Sequence, residues 1–217
     1  RRSGKSLFVD TLKNYYDVNE KEKFEQLFSG LSISENPTEF QGKYLILSFD
    51  FSKIYPDEDI NKIIKNLGDY CNDCCLGFYE KYKHLLQDKI SIKENFFSTL
   101  DALFIYVQKI GYKIYVLVDE YDNFINEIMV RGRRRDYERL VTGEGIVKTF
   151  FKNLKSSYGS VIDRIFITGI SPVVLNDISS GFNISKDITF YDKFNDLCGF
   201  KEQEIKEVLE RIIKAEK

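Results

Sequence analysis

Three short runs along the chain consist mostly of apolar residues, and polar residues or a turn follow each of them. They are Tyr44–Asp50, Ile114–Val118 and Arg164–Thr168. Runs of this length that do not alternate strictly between apolar and polar residues are typical of strands covered on both faces. The pattern therefore predicts a sheet in the interior of the domain.

Between these runs, apolar residues recur every three or four positions, which is the spacing of an amphipathic helix. The predicted helices begin near residues 5, 57, 91 and 146. Ser91 and Glu94 have the spacing of a capping box, so the third helix is predicted to begin there. Gly68 and Gly77 mark two positions at which the second helix, 57–86, could break. Helices that alternate with strands predict an α/β fold with a mostly parallel sheet and helices on both faces.

The length of 217 residues is sufficient for one α/β domain. Residues 201–217 form a further charged, amphipathic pattern. The apolar side of this pattern consists of Ile205, Val208, Leu209 and Ile212. We therefore assign residues 1–200 to the domain and residues 201–217 to the start of a C-terminal helical lid or linker.

The composition disfavours several classes of protein. Hydrophobic residues make up 43% of the chain and charged residues 30%, which indicates a folded, globular protein. The formal net charge of the whole chain is −2, so the surface as a whole does not attract polyanions such as nucleic acids. No apolar stretch approaches the ~20 residues that span a bilayer. We expect no membrane partner and predict an intracellular protein, located in the cytoplasm.

Four cysteines and a single histidine raise the question of a metal site. Cys71 and Cys74 have a metal-like spacing, but no second pair follows them. Together with Cys75 they fall on the apolar side of the second predicted helix, so buried thiols are the favoured interpretation. Their number gives no reason to expect disulfides, which agrees with an intracellular location. His84 is interpreted as a surface residue.

A short basic segment, Arg131-Gly132-Arg133-Arg134-Arg135, allows two interpretations. It could contact nucleic acid, or supply an arginine to the phosphates of a neighbouring copy, which would require self-association. The alternative is a solvated loop, and this is the interpretation that we favour.

The tripeptide Gly4-Lys5-Ser6 is the second half of the pattern G-x-x-x-x-G-K-[ST]. In such a loop, backbone amides surround nucleotide phosphates, the lysine reaches the terminal phosphates and the serine hydroxyl binds Mg²⁺. A helix that begins near Lys5 would direct the positive end of its dipole at the phosphates. Because the pattern is incomplete at Arg1, the predicted fold is a P-loop NTPase whose first strand is missing from the chain and is expected upstream.

A second group of polar residues follows the predicted strand Ile114–Val118. Asp119 and Glu120 come directly after it, and ligands of parallel α/β folds bind beyond the carboxyl ends of the strands. Asp119 is predicted to hold Mg²⁺ through a water. Glu120 is predicted to orient and polarise the attacking water, a role worth roughly 10²–10⁴ in rate. The alternative, two solvated acids before a turn, is disfavoured because the same chain contains the Gly-Lys-Ser tripeptide.

Two further residues near these strand ends are candidates for the same site. Thr168 ends the next strand, and it is either a sensor of the γ-phosphate or a simple strand-end threonine. Asp122 follows the acidic pair and is interpreted as a helix cap rather than a ligand. The Asp-Glu pair favours ATP over GTP, and hydrolysis over binding alone.

Four segments of the chain resemble, in the same order, segments of the AAA-ATPase-like family. Arg1–Leu7 is similar to the family's Arg-Pro-Arg-Arg-Phe-Gly-Lys-Ser segment, and Val118–Asp122 is similar to its Asp-Glu-Tyr-Asp stretch. Phe166–Pro172 and Ser180–Ile184 resemble two further family segments. The resemblance spans essentially the whole chain. Ser3 departs from the family pattern, which has an aromatic residue before the glycine.

The resemblance implies a P-loop ATPase of the ASCE group, in which an extra strand separates the two nucleotide motifs. By this resemblance, Gly4, Lys5 and Ser6 correspond to the family residues that bind the phosphates and Mg²⁺. Asp119 and Glu120 correspond to the family's acidic pair. ATP and Mg²⁺ are the expected cofactors. The expected function is binding and hydrolysis of Mg·ATP that switches or powers an attached module.

Family members often carry a nuclease-like domain of the PD-(D/E)XK class, so any contact with nucleic acid is expected through an attached domain. An alternative function is an interaction module for protein or nucleic acid. Such a module would work with or without nucleotide and would show little turnover.

Overall fold

The computed structural model describes residues 4–86, 89–170, 177, 182–199 and 201–215. Its sheet contains the strands β1 (Tyr44–Asp50), β2 (Lys113–Asp119) and β3 (Ile162–Ile167), in the order β1-β2-β3. Both pairs of neighbouring strands are parallel, as the sequence pattern predicts. The carboxyl ends of these three strands therefore lie on the same edge of the sheet.

Helices connect and flank the strands. Their bounds are α1 (Lys5–Tyr16), α2 (Phe24–Phe28), α3 (Ser32–Glu35), α4 (Ile60–Tyr82), α5 (Phe96–Lys109), α6 (Asn123–Val130), α7 (Arg134–Val141), α8 (Ile146–Ser157) and α9 (Glu202–Ala215). Short 3₁₀ turns lie at Val18–Lys23, Phe51–Lys53 and Asp192–Phe194. Across the described ranges, no helix has both the length and the apolar character needed to cross a membrane.

The long helix α4 is shorter than its predicted range of 57–86, since it spans Ile60–Tyr82, and it runs through Gly68 and Gly77 without a break. A glycine in a helix interior costs about 1 kcal/mol relative to alanine. The buried side of α4, which includes Leu67, Cys71 and Phe78, packs into the main core and outweighs that cost. The predicted break is therefore wrong.

The predicted capping box at the start of α5 is also wrong. The helix begins only at Phe96, and its cap is Asn95, whose side chain accepts a hydrogen bond from the backbone N–H of Phe97 at 3.0 Å. The side chain of Asn95 thus satisfies one of the free N–H groups at the helix start. Ser91 and Glu94 lie before this cap and are exposed.

The two faces of the sheet pack against different helices. Apolar residues on one face, such as Leu47 of β1 and Val116 of β2, form the main core, into which α4, α5 and α8 pack. The alternate residues, such as Ile46 and Leu117, form a smaller core with Val9 of α1. Helices therefore cover both faces, as predicted.

This alternation determines which strand-end residues face α1. Successive residues of a strand point to opposite faces of the sheet. Asp50 follows Ile46 and Ser48 on one face of β1, and Asp119 follows Leu117 on the same face of β2. The register of the two strands pairs Asp50 directly with Asp119. Both carboxylates thus lie on the side of the sheet that α1 covers.

The cysteines of α4 are buried thiols, which confirms the sequence interpretation. Cys71 and Cys75 are buried, Cys74 is half-buried, and all three are free, as is Cys198. Burial raises the pKa of the Cys75 thiol to about 12 and that of the Cys74 thiol to about 11. His84 is exposed, as predicted.

A buried polar cluster joins α1, α4 and β1 at the sheet edge opposite to the strand carboxyl ends. The fully buried carboxylate of Asp17 accepts a hydrogen bond from the Tyr82 hydroxyl at 2.8 Å and forms an ion pair with Lys81. The same hydroxyl accepts a bond from the backbone N–H of Ile46 at 2.9 Å. Burial, together with the charge of Asp17, raises the pKa of Tyr82 well above its ordinary value. One hydroxyl therefore satisfies two buried groups.

Tyr82→Phe is expected to lower the free energy of unfolding by about 1–3 kcal/mol, because it leaves a buried carboxylate and a buried N–H with one partner fewer. Chemical denaturation would measure the change. Tyr79→Phe is the matched control, since the Tyr79 hydroxyl makes no hydrogen bond within the described ranges. We expect the control to change stability by about 0.5 kcal/mol or less. Equal effects of the two substitutions would contradict the role given to Tyr82.

Candidate functional site

A polar cavity of about 380 Å³ lies where α1 meets the carboxyl ends of β1 and β2. Ser6, Asp10 and Lys13 line it from α1, Asp50 and Ser52 from the end of β1, and Asp119, Glu120 and Asn123 from the end of β2. Three of the residues predicted from the sequence therefore meet in one cavity, although more than a hundred positions separate Ser6 from Asp119 along the chain.

The Gly-Lys-Ser tripeptide forms the start of α1. Gly4 has φ of 87°, in the left-handed region that favours glycine, and its carbonyl accepts the first helical hydrogen bond, from Phe8 N at 2.9 Å. Lys5 and Ser6 are the first residues of the helix, and Ser6 is exposed to the cavity. Gly4 and Lys5 directly precede Ser6 but do not line the cavity itself. This start of α1 directs its free N–H groups toward the same region.

Asp119 and Thr168 contact each other at the ends of β2 and β3. Both are buried, and the Thr168 hydroxyl donates a hydrogen bond to Oδ1 of Asp119. The same oxygen accepts a bond from the backbone N–H of Glu120 at 3.0 Å. Within the described residues, Oδ2 of Asp119 has no hydrogen-bond partner. The carboxylate is therefore held through one oxygen, and the other is available to a ligand.

Glu120 has a strained backbone. Its φ is 52°, and no other non-glycine residue among those described has a positive φ. Such conformations cost of the order of 1–3 kcal/mol and concentrate at functional sites. Asn123 supports this one, because its backbone N–H donates to the carbonyl of Glu120 at 2.9 Å and its side-chain amide donates to Oε2 at 3.3 Å. The turn thus fixes the Glu120 carboxylate at the cavity wall.

Asp122 has a different role from the helix cap that the sequence indicates. It precedes α6, but its side chain makes no capping hydrogen bond to that helix. The carboxylate is buried, and each of its oxygens lies 3.1 Å from the backbone N–H of Ile170, which donates to it. The Asn126 amide donates to Oδ2 at 2.8 Å. Asp122 therefore ties the turn after β2 to the segment after β3.

Gly169 makes this close approach of the two segments possible. A β-carbon at Gly169 would overlap the ring of Tyr121 and lie 2.7 Å from Oδ1 of Asp122. The backbone N–H of Tyr121 also donates to the carbonyl of Thr168 at 3.1 Å. Residues 171–181 lie outside the described ranges except for Asp177, so the end of the segment 166–172 and the start of the segment 180–184 carry no structural description.

Five residues of the cavity were not predicted from the sequence: Asp10, Lys13, Asp50, Ser52 and Asn123. Asp50 carries a signal that could have found it, because it ends the first apolar strand as Asp119 ends the second. Asp10 and Lys13 form an ion pair at 3.0 Å on α1, and no sequence pattern distinguishes this pair from an ordinary helix surface.

The residues of the cavity fit a magnesium ion held jointly with a phosphate ligand. Within the described ranges, no group of three or more His, Cys, Asp or Glu side chains is placed to hold a metal ion. Mg²⁺ does not need such a group, because it usually binds one or two carboxylates, several waters and the phosphates of a nucleotide. The Ser6 hydroxyl and the Asp119 carboxylate are oxygen ligands of this kind, and both line the cavity.

The basic segment is largely engaged in contacts within the chain. The guanidinium groups of Arg131, Arg133 and Arg134 lie 3.8, 2.7 and 3.0 Å from acidic side chains. Arg133 also donates to the carbonyls of Asp57 and Glu58. The favoured interpretation as a solvated loop is therefore right only in part, because Arg134 and Arg135 begin α7 and Arg133 is held by the carbonyls of Asp57 and Glu58. A contact with nucleic acid or with a neighbouring copy stays a prediction.

The fold and the cavity together define an α/β protein with a polar cavity at the carboxyl ends of its parallel strands, the position at which ligands of such folds bind. The chain belongs to the AAA-ATPase-like family, whose model, described as a predicted AAA-ATPase, matches residues 1–179. The match confirms the family resemblance seen in the sequence motifs. Comparison with curated proteins and with solved structures found no match.

Proposed function

We propose that the cavity binds Mg·ATP and that the chain hydrolyses it, as a P-loop NTPase of the ASCE group. The observation that carries this proposal is that Ser6, Asp119 and Glu120 line the same cavity at the start of α1. A phosphate at this position would meet the N–H groups and the positive dipole end of α1. Membership of a family of predicted ATPases supports ATP as the ligand.

Binding of the nucleotide is assigned to the start of α1. Gly4 allows the backbone to turn into the helix, and Lys5 would neutralise charge on the β- and γ-phosphates. Ser6 and Asp119 would hold Mg²⁺, and the bound ion would neutralise the negative charge that develops on the phosphates during transfer. Oδ2 of Asp119 is the oxygen that would face the ion, since Oδ1 accepts bonds from Thr168 and Glu120.

Hydrolysis is assigned to Glu120. A carboxylate that accepts a hydrogen bond from the attacking water orients and polarises it, which contributes roughly 10²–10⁴ in rate. The hydrogen bond from Asn123 and the strained turn would keep the Glu120 carboxylate in one orientation. Restricting its orientation lowers the entropic cost of reaching the reactive geometry.

The link between β2 and β3 supports a switch or motor role. Thr168 contacts Asp119, and Ile170 contacts Asp122, so both strand ends are joined at the cavity. Loss of the γ-phosphate would change what these residues contact, and the hydrogen bonds would transmit that change to the segment after Ile170. This is the route by which the site would act on an attached module.

The proposal is tested by phosphate release from ATP by the full-length protein in Mg²⁺, with EDTA as the control. We expect turnover in Mg²⁺ and none in EDTA, because Ser6 and Asp119 need the ion to engage the phosphates. Binding of Mg·ATP without turnover would support the alternative of an interaction module. Absence of both binding and turnover would contradict the proposal.

A further inference from the structure

Asp50 occupies the position next to Asp119 on the neighbouring strand. The register of the parallel pair places the two residues side by side, and neighbouring strands are about 4.8 Å apart. Both lie on the face of the sheet that α1 covers, and both line the cavity with Ser6. Asp119 thus has a neighbour on each side, the buried Thr168 after β3 and the partly buried Asp50 at the end of β1, and of these two only Thr168 bonds to it directly.

Contacts from two directions fix the orientation of Asp50. Its Oδ1 accepts hydrogen bonds from the hydroxyl of Ser52 at 2.6 Å and from the backbone N–H of Ser52 at 3.1 Å. Its own backbone N–H donates to the Tyr70 hydroxyl at 2.7 Å. Among the described residues, Oδ2 of Asp50 has no hydrogen-bond partner. Asp50 therefore presents one carboxylate oxygen to the cavity in a defined orientation, as Asp119 does.

We propose that Asp50 is a further magnesium-site residue, whose Oδ2 accepts a hydrogen bond from a water bound to the ion. This inference rests on the proposed function. A water-mediated role fits because Mg²⁺ keeps several of its waters in protein sites. It also fits the absence, within the described ranges, of three acidic side chains close enough to hold an ion directly. Ser52 is then a positioning residue, because it holds the other oxygen of Asp50.

The competing explanation is that Asp50 only stabilises the turn Phe51–Lys53 through its bonds to Ser52. The two explanations differ in what Mg²⁺ does to nucleotide affinity. A turn-stabilising residue would affect the affinity equally with and without the ion. A residue that holds a magnesium-bound water would affect it only when the ion is present.

The test compares Asp50→Asn with the wild-type full-length protein. A fluorescent, non-hydrolysable ATP analogue is titrated in Mg²⁺ and in EDTA. The Kd in EDTA divided by the Kd in Mg²⁺ gives the factor by which the ion increases the affinity, and this quotient is the ratio compared between variants. Groups that hold the ligands of a metal ion typically change metal affinity about 10–100-fold when mutated. We therefore expect the ratio to fall by at least about tenfold in Asp50→Asn, with little change of Kd in EDTA.

Asp10→Asn is the matched control, because it removes the same charge from the wall of the same cavity while Asp10 is paired with Lys13. We expect its ratio to stay near the wild-type value. Ser52→Ala is a second variant that leaves both carboxylates in place, and we expect it to lower the ratio less than Asp50→Asn does. Its Mg²⁺ dependence can be measured even if Asp50→Asn fails to fold.

An unchanged ratio in Asp50→Asn, or in Ser52→Ala where Asp50→Asn does not fold, would overturn the inference. Equal losses in Asp50→Asn and Asp10→Asn would also overturn it, since they would indicate a general effect of charge. Either result leaves the proposed function intact if the wild-type protein binds the analogue in Mg²⁺. Absence of binding by the wild-type protein would overturn the proposed function, and with it the role of Asp50.

Discussion

Glu120→Gln is expected to lower the rate of ATP hydrolysis by about 10²–10⁴, because glutamine cannot accept a proton from the attacking water. The affinity for Mg·ATP is expected to stay within about threefold of the wild-type value, since glutamine keeps the size of the side chain and leaves Lys5, Ser6 and Asp119 in place. Phosphate release and equilibrium binding would measure the two quantities separately.

Glu127→Gln is the control for this substitution. Glu127 lies on α6, is exposed, and pairs with Arg131 at 3.8 Å, so its loss should change neither rate nor affinity. Wild-type turnover in Glu120→Gln would show that the role given to Glu120 is wrong. A parallel loss of binding would instead indicate that the strained turn around Glu120 has changed its conformation.

Gly169→Ala is expected to have a large structural effect for the addition of a single methyl group. The added β-carbon would overlap the Tyr121 ring and approach Oδ1 of Asp122, so the segment after β3 must move away from the turn after β2. Overpacking of this kind typically costs about 1–3 kcal/mol, and more where backbone has to move. We also expect weaker Mg·ATP binding, because Thr168 is adjacent and bonds to Asp119.

Gly77→Ala is the matched control. Gly77 lies within α4, and a β-carbon there meets no atom within 4 Å. Alanine is favoured over glycine in a helix interior by about 0.5–1 kcal/mol, so this variant should be slightly more stable than the wild type. Thermal or chemical denaturation distinguishes the two. Equal stability of Gly169→Ala and the wild type would contradict the close packing of the two segments.

The strands and the main helices could be predicted because local pattern and tertiary packing agree in them. β1 and β2 are almost entirely apolar since both faces of the sheet are covered, and that leaves a clear signal in the sequence. The break in α4 was predicted wrongly because glycine has a local cost, whereas the packing of one whole side of the helix decides the outcome.

The start of α5 shows the limit of short motifs. Ser91 and Glu94 have the spacing of a capping box, yet Asn95 supplies the cap. The N–H of Lys93 donates to Thr99 Oγ1, which holds the preceding residues in a non-helical conformation. Both Asn and Ser are good caps, so the sequence alone does not distinguish between the two starting points.

The candidate site was only partly predictable for a related reason. Gly4, Lys5, Ser6, Asp119 and Glu120 belong to short patterns that carry their own chemical meaning. Asn123 has no such pattern, and Asp50 has only the weaker signal that it ends an apolar strand. The relevance of these two residues depends on strand register and on the turn after β2. Asp122 was assigned to a local cap because its partner, Ile170, lies on a different strand connection. Contacts between distant segments are the part that a single sequence does not reveal.

Binding of Mg·ATP, measured as a thermal shift of the full-length protein beside Lys5→Ala, tests the central claim most directly. A ligand at ~100 times its Kd stabilises the folded state by about 2.7 kcal/mol. For a domain of this size the expected increase in Tm is roughly 5–11 °C. We predict this increase in the wild type and in the exposed control Lys83→Ala, and its loss in Lys5→Ala. No increase in the wild type, or an equal increase in Lys5→Ala, would contradict a nucleotide site at the start of α1.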